Sequence, residues 1–142
     1  MNFSYLQWTI LATVLVPAVI TDIRERGVCS WLIVCGIIAG ILNTAFNGMP
    51  SIWEYFLRFV PGIVILISAY LAKGCVGKGD GYMCIFLGSV LRTQYVLTAL
   101  FFGFLFAAVT GIVLVVFKKI SAKTMMPFIP FLALGVFVCG FM

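Results

Sequence analysis

Histidine is absent from this chain, and acids are almost so: Asp22, Glu25, Glu54 and Asp80 are the four in 142 residues. Without an imidazole there is no histidine base for a serine or cysteine triad and no His-containing zinc site. The five cysteines (Cys29, Cys35, Cys75, Cys84, Cys139) include no CxxC pair. A structural zinc site is therefore not expected, and these residues read as small apolar packing groups. Charge of either sign is scarce, at 9% of residues, against about 25% in soluble domains. So little charge cannot cover a water-exposed surface. The first five residues carry no basic group, and no small-residue cleavage site follows the first apolar run. The reading is a retained first span and not a cleaved signal peptide.

What is present is apolar. The chain is 64% hydrophobic, with mean hydropathy +1.24. Its excess Leu, Ile, Val and Phe must face lipid. A transmembrane helix takes about 20 apolar residues, so about six spans with short loops fill the length. The expected spans are Tyr5 to Thr21, Trp31 to Phe46 with Ser30 as N-cap, and Trp53 to Ala72. They continue with Tyr82 to Leu91, Tyr95 to Phe117, and a last span that opens near Pro127 or Pro130. The fourth run is too short to cross a bilayer unless it extends back through Asp80. Between the third and fourth lies a glycine-rich loop, Lys73 to Gly81, and a turn signal stands at Asn47 to Ser51. The fold class is an all-α membrane protein, one membrane-embedded domain over residues 1–142.

Orientation follows from the basic residues. Alternating the loops puts Arg24, Arg26, Lys73, Lys78, Lys118, Lys119 and Lys123 on one side, and Arg58 and Arg92 on the other. The basic side is expected to be cytoplasmic, with both termini outside. The same alternation brings Asp22 and Asp80 to the cytoplasmic boundary and leaves Glu54, with Arg58, among headgroups on the far side. Two carboxylates close together in a partly dry site cannot both ionise easily. Such a pair can activate water and protonate a leaving amine, as in aspartyl proteases. Gly77, Gly79 and Gly81 permit backbone angles closed to other residues and give clearance to an extended substrate. Taken alone, the loop also reads as a plain interhelical turn, and Asp22 as an interfacial charge. Ionisable groups near membrane segments are scarce and tend to be functional.

Three segments carry a resemblance to a known family. Gly77-Lys78-Gly79-Asp80 matches the GxGD signature of membrane aspartyl peptidases. Asp22, followed by Arg24, Arg26, Val28 and Trp31-Leu32, resembles the first catalytic aspartate region of type IV prepilin peptidases. Pro127 to Gly135, read Pro-Phe-Ile-Pro-Phe-Leu-Ala-Leu-Gly, is similar to the segment in that family's last catalytic-domain span. Two departures stand out: Cys29-Ser30 in place of Pro-Asn, and Tyr82 where the family often has lysine. The resemblance implies cleavage of prepilin or pseudopilin precursors with a short basic leader. Asp22 and Asp80 would be catalytic, and Gly77, Gly79, Gly81, Pro127 and Pro130 would contact or border the substrate. It implies no metal, no organic cofactor and no nucleic-acid partner, and a place in the inner membrane with the site facing the cytoplasm. It also implies a peptidase-only form, without the cytoplasmic methyltransferase domain of larger members. Two rivals are a presenilin-like protease, which expects Tyr-Asp where Thr21-Asp22 stands, and a small carrier or pilus-assembly scaffold without peptidase activity.

Overall fold

The computed structural model describes residues 4–25, 27, 29–48, 50–71, 77–117 and 127–141. They form six helices: α1 (Tyr5–Glu25), α2 (Ser30–Phe46), α3 (Ile52–Leu71), α4 (Lys78–Val90), α5 (Thr93–Val116) and α6 (Ile129–Phe141). No strand occurs among the described residues, as the all-α reading requires. Of the six, α1, α3 and α5 are long and apolar enough to cross a membrane, and α2 and α6 are shorter apolar helices. The basic loop Lys118 to Lys123, with Arg26, Val28, Lys73 and Cys75, lies outside the described residues.

Helix boundaries differ from the sequence reading where charge or glycine had suggested loops. Helix α1 runs on through Asp22 to Glu25. Nothing in Asp22-Ile23-Arg24-Glu25 breaks a helix, and Arg24 in the last turn meets the negative end of the helix dipole. The N-cap of α2 is Cys29 without a side-chain cap bond, and Ser30 is already helical. Beyond α2, Gly48 has φ +97°, a left-handed conformation that glycine adopts without a steric penalty.

The largest difference is at α4. It begins at Lys78, so Gly79, Asp80 and Gly81 form its first turn and not a loop. Its 13 residues span about 20 Å at 1.5 Å each, short of the roughly 30 Å of hydrocarbon. Enclosure removes the difficulty. Helices α2 and α3 pack along α4, with α1 and α5 also touching it. Met83, Cys84, Phe86 and Leu87 are wholly buried. A helix shielded this way need not match the bilayer's thickness.

Small residues make the close approach possible. A side chain at Gly36 of α2 would meet Val14 of α1 and Phe86 of α4. One at Gly62 of α3 would meet the backbone of Cys84 and Ile85, and one at Gly88 of α4 would strike the Arg58 carbonyl. Helices without a hydrophobic drive between them associate through such contacts and through polar bonds. Thr44 Oγ1 supplies one, donating to the Ser89 carbonyl at 3.0 Å in the interior. Helices α5 and α6 pair in the same manner, with Gly135 seated on the Ala99 carbonyl. Phe101, Phe104, Leu105 and Ile112 of α5 remain exposed, forming an apolar outer face.

Two residue-level readings change. Cys84 and Cys139 are buried as packing groups should be, but Cys29 and Cys35 are exposed. Arg58, expected among headgroups, is only 5% exposed. Its side chain turns inward, 3.3 Å from Glu54 and 5.9 Å from the Tyr55 ring centroid.

Candidate active site

Helices α1 and α4 lie against each other and run in opposite directions. At one end, Gln7 Nε2 near the start of α1 donates to the Val90 carbonyl at the end of α4, at 3.3 Å. The other ends of the same two helices carry Asp22 and Asp80. The two carboxyls are near enough for the charge of Asp22 to act on Asp80. Asp22 is buried and Asp80 half-buried.

A third helix meets them there. The Ile129 N–H, at the first residue of α6, donates to Asp22 Oδ2 at 3.2 Å. The first N–H groups of any helix lack an intrahelical acceptor, and here one of them finds a carboxylate. The positive end of the α6 dipole suits that charge. Pro127 and Pro130, both half-buried, bracket this residue. Pro130 sits in the first turn, where a missing N–H costs nothing. The ring of Phe128 packs on Phe104 of α5 with centroids 4.8 Å apart, which anchors the start of α6.

Asp80 is set by its own turn. Its N–H donates to the Gly77 carbonyl at 3.1 Å, and the Gly77 N–H points back to the carboxyl. Gly77 has φ −68° and ψ 128°, ordinary extended backbone. Among the described glycines only Gly48 has positive φ, so Gly77, Gly79 and Gly81 take no unusual angle. Their value is space. A Cβ at position 77 would lie 3.0 Å from Asp80 Oδ2. One at position 81 would lie 3.0 Å from Leu66 of α3. The clearance expected for a substrate is thus used at Gly81 by α3 and at Gly77 by the carboxyl itself. Gly79 lies half-buried between them.

Two carboxyls held near each other in a partly dry site can share one proton, the arrangement that acid–base work by a pair needs, and Asp80 is the more exposed of the two. Three exposed side chains form a rim beside it. Lys78 Nζ stands 4.8 Å from the Tyr70 ring centroid, and Tyr82 lies near enough to Tyr70 for the two phenols to interact. No group of three or more His, Cys, Asp or Glu side chains suited to a metal occurs among the described residues.

The model of the type IV leader peptidase family matches residues 9–112, a stretch that contains both Asp22 and Asp80. The chain belongs to that family. Neither a curated protein nor a solved structure matches it. The family match ends within α5, so α6 enters the site on the strength of its bond to Asp22 and not of the match. For a leader peptidase, the end holding Asp22, Glu25 and Asp80, three of the four acids, is the part of the bundle able to do acid–base chemistry. At the far end the one acid, Glu54, is paired with Arg58. The sequence brought out both aspartates and both prolines. It missed the Ile129 N–H, because a backbone donor leaves no mark in side-chain identity; the flanking prolines were the available signal. Tyr70 had no signal at all.

Proposed function

We propose that the protein is a membrane aspartyl endopeptidase that removes the short basic leader of prepilin or pseudopilin precursors at the cytoplasmic face of the inner membrane. Asp22 and Asp80 are its catalytic pair. The convergence of these two scarce carboxyls from α1 and α4, in a chain of the leader peptidase family, carries the reading. One carboxylate takes a proton from water as the water oxygen bonds to the scissile carbonyl carbon. The tetrahedral adduct then collapses, the C–N bond breaks, and the leaving amine takes its proton from the carboxylic acid.

Gly77 makes room for the Asp80 carboxyl, Gly79 borders the substrate path, and Gly81 lets α4 seat on α3. Pro127 and Pro130 border the substrate path. In this reading residues 1–142 form one domain, six helices cross the bilayer, and both termini lie outside. The basic residues then meet anionic lipid on the cytoplasmic side. The test is co-expression with a prepilin-like precursor. Asp22→Asn and Asp80→Asn are each expected to lower cleavage at least about a hundredfold while the protein still inserts. Full activity in either variant overturns the pair.

A further inference from the structure

The side chain of Asp22 makes one hydrogen bond among the described residues, and its donor is 107 positions away in sequence. The turn that holds Asp80 is local and moves with it. Asp22 instead depends on another helix. That helix is firmly seated: Ile129 and Leu132 are buried to 1% or less, Phe128 packs on Phe104, and Gly135 rests on the Ala99 carbonyl. A backbone N–H in such a place neither rotates nor titrates, so it fixes the plane of the carboxyl it holds.

Resting on the peptidase reading above, we infer that Ile129 is a positioning residue: its N–H clamps Asp22 Oδ2, so the start of α6 orients one catalytic carboxyl and leaves Oδ1 for the reaction. Pro130 assists by starting the helix without an N–H of its own beside the clamp. Ile129 itself touches no reacting atom. Its side chain is packing, and its main-chain donor is what the reaction uses.

Two substitutions separate the donor from the side chain. Ile129→Pro removes the N–H but suits the first turn of a helix. Ile129→Ala keeps the N–H and gives up the buried side chain. With the full chain in lipid and a synthetic precursor, Ile129→Pro is expected to lower kcat about 10- to 100-fold, the scale of a misplaced catalytic group. KM is expected to stay within about twofold, and Ile129→Ala to stay within about threefold of the parent in kcat. Equal kcat for Ile129→Pro and the parent overturns the inference, as does an equal loss in both variants. Should Ile129→Pro fail to insert, the amide itself is the probe. In protein labelled with 15N-isoleucine, the Ile129 amide, assigned through Ile129→Val, is expected to shift upfield and exchange faster in Asp22→Ala. An amide indifferent to Asp22→Ala overturns the clamp even if the parent cleaves precursor. An amide that responds in a protein that cleaves no precursor upholds the clamp and overturns the peptidase reading.

Discussion

Asp22 holds the start of α6 as much as α6 holds Asp22. Asp22→Ala leaves the buried Ile129 N–H without its acceptor, and is expected to destabilise the protein by about 1–3 kcal/mol, measured by chemical unfolding in micelles. Asp22 and Asp80 were legible in the sequence because acids are so few here that charge alternation alone brings them together. Arg58 was not: the preference of an arginine for headgroups loses to a local partner, Glu54, one helical turn away.

Among the helices, space decides more than propensity. A methyl group at Gly88 would strike the Arg58 carbonyl, a backbone atom that cannot step aside, whereas a methyl at Gly111 would meet nothing. Gly88→Ala is therefore expected to destabilise by about 1–3 kcal/mol through overpacking. Gly111→Ala, which only gains helix propensity, is expected to stabilise by up to about 1 kcal/mol; chemical unfolding in micelles checks both. The contrast also explains what could be read beforehand. Long apolar runs announce α1, α3 and α5, because lipid asks only for length and hydrophobicity. Helix α4 hides its start, since Gly77-Lys78-Gly79-Asp80-Gly81 reads as a loop until Leu66 is there to pack on it. Its enclosure, and so its tolerable shortness, is a property of the helices around it.

As a whole, the molecule is an apolar jacket around a short central helix. Asp22 and Asp80 lie at one end, and the buried Arg58, paired with a half-exposed Glu54, lies at the other. With six spans, Cys29 faces the cytoplasm and Ser51 the outside. A membrane-impermeant maleimide is expected to label a single-cysteine protein retaining Cys29 only from the cytoplasmic side, and a Ser51→Cys protein only from outside. Labelling of both from one side would overturn the six-span arrangement.

The bond between Ile129 and Asp22 also orders events in time. The ribosome makes α1 long before α6, and Asp22 has no clamp until α6 has docked. A nascent chain that already contains both aspartates is therefore not yet a finished protease. The proposed peptidase would be born silent beside its own substrates and would acquire its activity only once α6 had docked.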